Sequence, residues 1–198
     1  MATLDLNQML RGALSKQGGA SSDFDLNKGV VLPEGRKLTQ AAVLVLVDPA
    51  KQTLLLTKRA AKLKHHPGQI AFPGGKHDAG DADLTATALR EAYEEVGLDP
   101  ASVTVLGTLP SHETVTGFQV TPIVGLQRAP FTPTPEAGEV SEVFHVPFSH
   151  IIDPTNYRVA DRMWQGQRRK FYVVPYGPYY IWGATARILR GLADRWAA

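Results

Sequence analysis

Glu91, Glu94 and Glu95 lie at i, i+3 and i+4 in the segment Arg90-Glu91-Ala92-Tyr93-Glu94-Glu95-Val96-Gly97-Leu98. At about 100° per residue, a helix puts all three carboxylates on one side. Leu89, Ala92, Tyr93 and Val96 then form an apolar stripe on the other. Like charges at these spacings repel by roughly 0.2–0.5 kcal/mol per pair. A hard divalent cation removes that penalty, because Mg²⁺ takes oxygen ligands from a few carboxylates, substrate phosphates and water. An isolated acidic triplet more often reads as a solvated helix face, so its surroundings decide.

Those surroundings point to phosphate chemistry. Upstream stands Phe72-Pro73-Gly74-Gly75-Lys76, expected as a turn whose glycines let the backbone approach a ligand closely. Asp81 and Asp83 precede Leu84, where they can cap the helix. Before the glycines runs a cationic stretch with Lys58, Arg59, Lys62, Lys64, His65 and His66. Next to a metal site, such a stretch suits a substrate with negative charge beyond a single diphosphate. A solvated basic loop is the alternative.

The elements that would position these residues form an α+β pattern rather than a regular βαβ alternation. Leu4 to Leu14 reads as an amphipathic helix, and Gly18 to Ser22 as a loop. Ala41–Val47 and Thr53–Thr57 read as a hairpin. Gln69 to Phe72 is short and extended. Leu84 to Val96 is the strongest helix, stopped by Gly97 with Pro100 beyond. Strands are expected at Val103–Leu109, Gln119–Leu126, Val140–Val146 and Phe171–Val174, and a closing helix at Ile181–Trp196. With 198 residues and no break in composition, one domain is expected over 1–198, an N-terminal helix and extension (1–40) preceding the core (41–198).

Composition narrows the function. Hydrophobic residues make up 43%, enough for a core, and the net charge is only +2. That balance argues against a nucleic-acid-coating protein. There is no Cys, which excludes disulfides and Cys-ligated metal. No signal peptide or apolar span of membrane length is visible, so a cytoplasmic protein without membrane or nucleic-acid partners is expected. The oligomeric state is left open.

The helix and the glycine turn resemble the Nudix box, G-x5-E-x7-R-E-U-x-E-E-x-G-U. Gly75 matches the first glycine, and Arg90, Glu91, Glu94, Glu95, Gly97 and Leu98 match the closing half. The spacing from Gly75 to Arg90 is one residue longer than the pattern, and Asp81 stands in place of its first Glu. The resemblance implies a Nudix fold, a mixed β-sheet sandwiched between helices, here with extra terminal helices. It implies Mg²⁺ or Mn²⁺ held by Glu91, Glu94 and Glu95, with the Gly75 carbonyl as a further ligand, and Arg90 orienting the carboxylates through a bidentate ion pair.

The run from Leu55 to Gly75 is similar to the extended signature of the coenzyme A pyrophosphatase branch of that family. The likeness continues at Thr114–Pro122, Glu139–Pro147 and Ile181–Ala186. It implies hydrolysis of coenzyme A to 3′,5′-ADP and 4′-phosphopantetheine, with Lys58, Arg59, Lys64, His66 and Gln69 as substrate contacts. Glu95, Glu139 and Glu142 are candidates for the general base, and Glu139 is preferred because a residue at a loop–strand junction can swing towards the metal. Other readings remain: a Nudix enzyme for ADP-ribose or a dinucleotide, a non-catalytic nucleotide-sensing module, or an RNA-binding or decapping protein.

Overall fold

The computed structural model describes residues 3–27, 29–30, 35–63, 66–164 and 166–197. Helix α1 (Thr3–Ser15) buries Leu6, Leu10 and Ala13, spaced i, i+4 and i+7 along one face. Strand β1 (Ser21–Ser22) follows, and then β2 (Thr39–Asp48) and β3 (Thr53–Arg59), an antiparallel pair rich in Val and Leu. Next come β4 (Ile70–Ala71), β5 (Gly74–Lys76) and helix α2 (Leu84–Val96). The chain continues through β6 (Val103–Thr108), β7 (His112–Glu113), β8 (Phe118–Gln127), β9 (Val140–Pro147) and the short helix α3 (Phe148–Ile152). Strands β10 (Arg158–Trp164) and β11 (Gln167–Val173) form a separate hairpin before helix α4 (Gly183–Ala197).

Nine strands make one mixed sheet in the order β1-β7-β8-β2-β3-β4. Strand β5 is added to β2, β6 to β8 and β9 to β3. The pairs β2–β8 and β1–β7 are parallel, and the other pairs are antiparallel. Because side chains alternate across a strand, β2 serves two cores. Ala42, Leu44 and Leu46 meet Ala88, Ala92 and Val96 of α2. Val45 and Val47 face the other way, into the cluster that contains Leu10 of α1, Ile151 of α3 and Leu189 and Leu192 of α4. The sheet is thus sandwiched between helices, with extra helices at both ends. Among the described residues no helix is long and apolar enough to cross a membrane.

Four local expectations change. Gly74 and Gly75 belong to strand β5, paired with Val43 and Ala42 of β2, and not to a free turn. Ser21–Ser22, expected as loop, is a strand because buried His112 of β7 pulls it in. His112 Nδ1 lies 2.9 Å from Ser21 Oγ, and its Nε2 lies 3.1 Å from Asp23 Oδ1. Ile181 and Trp182 precede the last helix, since the Ile181 carbonyl accepts from the Val174 N–H and Gly183 turns the chain at φ +65°. The strand expected at Phe171–Val174 is the end of the longer β11.

Candidate active site

Helix α2 begins at Asp83, whose side chain accepts the Ala86 N–H at 2.8 Å. It ends at Gly97, in the left-handed conformation with φ +72°. Between these caps the helix buries Ala88, Ala92 and Val96, spaced i, i+4 and i+8. The expected apolar stripe is therefore displaced. Tyr93 is 59% exposed, whereas Glu95, expected on the solvated acidic side, is only 5% exposed. The physical reason is angular: on this helix Glu95 falls about 20° from Ala88, at the edge of the stripe made by Ala88, Ala92 and Val96, and the sheet covers it with them.

Burial is the dominant influence on Glu95 and pushes its pKa up to about 8. The Gly74 N–H, donating to Oε2 at 3.3 Å, only partly offsets this, and repulsion from Glu91 and Glu139 adds to it. Glu91 is raised as well, mainly by burial, against the pull of Arg90. Gly75 lies directly under Glu91, since a Cβ there would come within 2.5 Å of the carboxylate. Glu94 points outward and is 55% exposed.

Arg90 is the hub of the site. Its bidentate partner is Asp81, not a box glutamate: Nε donates to Oδ1 at 2.8 Å and Nη2 to Oδ2 at 3.0 Å. Its Nη1 donates to both Glu91 and Glu94 at 3.0 Å, and Nη2 reaches the Lys76 carbonyl at 3.1 Å. Asp81 also accepts from Thr87 Oγ1 and from the Asp78 N–H. The guanidinium beside it holds its carboxyl well below the usual carboxylate range. Asp81 thus fixes the arginine that gathers Glu91 and Glu94, while capping falls to Asp83. Arg90→Lys keeps the charge but loses the fork. It should lower kcat at least tenfold and lower the Tm, as measured by steady-state kinetics and thermal melting.

Two more segments close on this centre. Arg59, at the end of β3, lies near enough to Glu95 to stabilise its charge. Its backbone is locked by Arg59 N–H to Gln69 O at 2.9 Å and Gly68 N–H to Arg59 O at 3.1 Å. Alternation along β3 sends Lys58 to the opposite face, that of Leu54 and Leu56. His66 is exposed, with φ +53°. The Gln69 side chain lies beside Gly183 at the start of α4, and Lys64 and His65 lie outside the described residues.

Glu139 arrives from the proline-bearing loop and adds to the negative field at Glu91 and Glu95. It does not swing. Its N–H donates to Glu136 O at 3.0 Å, and its carbonyl accepts the Ala60 N–H at 2.8 Å. The loop before it is fastened to α2, with the Thr134 N–H on Val96 O and the Glu136 N–H on Glu95 O, both at 2.9 Å. Glu142 is engaged elsewhere: its Oε1 accepts from the Tyr179 hydroxyl, which belongs to the far side of the sheet. Thr134 and Glu136 are not recognisable as anchors from residue types, because main-chain donors carry no residue signature.

Donor chemistry decides whether a divalent cation fits. Glu91, Glu94 and Glu95 offer hard oxygen donors, and burial raises the pKa values of Glu91 and Glu95 despite the pull of Arg90 and Arg59. Among the described residues no three acidic or histidine side chains already surround one point, since Arg90 gathers Glu91 and Glu94 instead. The donor set and its unbalanced charge suit a divalent ion, and binding would draw the carboxylates inward.

The sequence model of the NUDIX domain matches residues 38–168. The chain is 44% identical over 173 residues to the uncharacterized Nudix hydrolase NudL of Citrobacter koseri, covering 87% of this chain and 90% of that one. It is 45% identical over 155 residues to the protein of the same name from an Enterobacter species, covering 78% and 81%. Among solved structures, the MutT protein from Methanosarcina mazei Go1 is similar at 21% identity and a TM-score of 0.49, over 61% of this chain and 84% of that one. The chain belongs to the Nudix hydrolase family.

Proposed function

We propose that the protein hydrolyses the pyrophosphate bond of coenzyme A or its derivatives, giving 3′,5′-ADP and 4′-phosphopantetheine. Glu91, Glu94 and Glu95 hold Mg²⁺ or Mn²⁺ in this reading, with Gly75 beneath Glu91. The ion supplies charge neutralisation at the phosphate oxygens and acidifies water. Arg90, fixed by Asp81, orients Glu91 and Glu94. Glu139 takes the proton of the attacking water, since its backbone is held at the site and Glu142 is bonded to Tyr179.

The observation that carries the reading is that Arg59, at the end of β3, lies close enough to Glu95 to favour its charged form. It brings the cationic segment, whose signature resembles the coenzyme A branch, onto the carboxylate face of the sheet. A guanidinium there meets a phosphate as the substrate lies across the site.

Chromatography of products after incubation with coenzyme A and Mg²⁺ tests the reaction. The expected products are 3′,5′-ADP and 4′-phosphopantetheine. Brisk cleavage of ADP-ribose with none of coenzyme A would overturn the substrate assignment while leaving the Nudix chemistry in place. Arg59→Ala should lower kcat/KM for coenzyme A by roughly ten- to hundredfold, the range for one charge-assisted hydrogen bond. A smaller loss with dephospho-coenzyme A would assign Arg59 to the 3′-phosphate, and equal losses would assign it to the pyrophosphate.

A further inference from the structure

Strands β10 and β11 join no other sheet. Residues 158–170 of this hairpin carry five cations, Arg158, Arg162, Arg168, Arg169 and Lys170, against one acid, Asp161. Five less one is +4, whereas the whole chain carries +2, so the remainder is net −2. The charge of the molecule is therefore polarised onto one small arm. The family model stops at residue 168, inside β11, so the hairpin is completed by chain beyond the matched domain.

The arm also exposes apolar surface. Val159 is 52% and Met163 is 66% exposed. Both lie on the same side of β10 by alternation, with Asp161 between them and Lys170 and Arg168 as cross-strand neighbours on that side, Arg168 in an ion pair with Asp161. Charged residues on an edge strand are commonly a guard against unwanted strand pairing. That purpose explains the arginines, but it does not explain two large apolar side chains held in water among them.

The surrounding aromatic rings narrow the choice of partner. Trp182 is covered by Arg162 at 4.5 Å, Phe24 by Arg169 at 5.7 Å, and Tyr172 by Arg187 and Arg190 at 5.7 and 5.8 Å. Their faces are occupied by guanidinium groups, so these rings offer no stacking platform for the bases of a single-stranded nucleic acid. Cations flanking exposed aliphatic side chains match a different partner, the boundary between anionic headgroups and acyl chains.

We propose that the β10–β11 hairpin docks the protein peripherally on an anionic lipid surface. Lys170 and Arg168 meet headgroup phosphates, and Val159 and Met163, on the same side of the hairpin, enter the interfacial layer. The anchor of the arm suits this use: Asn27 holds the main chain of Lys170 through two hydrogen bonds of 2.8 and 3.0 Å, leaving the cationic side chains outward. The proposal is independent of the substrate, because none of these residues belongs to the catalytic centre.

Co-sedimentation of the full chain with lipid vesicles tests it. Binding is expected to vesicles of phosphatidylglycerol with phosphatidylcholine, and not to phosphatidylcholine alone. It should fade between about 0.1 M and about 1 M salt as the Debye length shortens. Each cation near the surface is worth about fivefold in partitioning, so the double change Arg168→Ala and Lys170→Ala should weaken binding roughly twentyfold. Met163→Ser should weaken it severalfold with the charge intact, and neither variant should alter hydrolysis of soluble substrate. No binding of the unaltered protein to anionic vesicles would overturn the proposal. So would binding that is indifferent to Met163→Ser and matched by a single-stranded oligonucleotide, which would mark a general polyanion site.

Discussion

With Glu95 replaced by Gln, kcat is expected to fall about 10²–10⁴-fold, the loss typical of a removed charged group at a reacting centre. The metal-free protein should at the same time become more stable above neutral pH. The sign follows from burial. Glu95 has a folded-state pKa of about 8, above the ordinary carboxylate value near 4.5. The native state therefore binds more protons than the unfolded chain between those two values, and stability falls as pH rises through that window. Glutamine does not titrate, so it removes the decline. A divalent ion removes it in the wild type by favouring the ionised carboxylate, and EDTA should restore it while abolishing turnover. Melting curves at pH 5 and about pH 8.5, with and without Mg²⁺, check both halves. Unchanged activity in Glu95→Gln, or activity that survives EDTA, would remove Glu95 and the metal from the mechanism.

Gly74→Ala is expected to damage folding as much as Glu95→Gln damages turnover. Gly74 sits at φ +155°, and a Cβ there would lie 2.4 Å from the Ala42 carbonyl oxygen and 2.6 Å from Val43 Cα. Both obstacles are backbone atoms of β2, which pairs with β8 along its length and cannot yield. Backbone strain of about 1–3 kcal/mol and overpacking of about 1–3 kcal/mol add to several kcal/mol, against a total stability of about 5–15 kcal/mol. The Tm should fall by roughly 10 °C or more. Gly75→Ala makes a useful contrast. The three atoms nearest its Cβ would belong to the Glu91 carboxylate, at the end of a side chain, and not to backbone. That variant should lose activity with a much smaller change in Tm, because a metal ligand and not a strand is displaced.

Helix α2 was legible in the sequence from end to end, because Asp83 and Gly97 act locally and need no tertiary partner. The face it buries was not. Ala88, Ala92 and Val96 are small and periodic, but Leu89 and Tyr93 are more hydrophobic and drew the stripe around the helix. The sheet settled the matter, since α2 meets Leu44 and Leu46 at a spacing that small residues fit. Charge on Glu95 therefore had to be buried, which no acidic-face reading of a helix would give. Asp81 shows the reverse case: its mismatch with the family spacing marked it as unusual, and the structure shows it bonded to Arg90. Strand β10 stayed hidden because Arg158, Asp161 and Arg162 break any apolar alternation. It forms against β11 rather than against a core.

The proline-bearing loop that leads to Glu139 has a consequence for how the site is made ready. Its donors satisfy the carbonyls of Glu95 and Val96, the last turn of the helix that carries Glu91, Glu94 and Glu95. Loop and helix therefore order together, and neither terminus of that arrangement is free to act as a lid. In the proposed reaction the conformational entropy of fixing Glu139 is thus settled once, when the chain folds, and not again at each turnover.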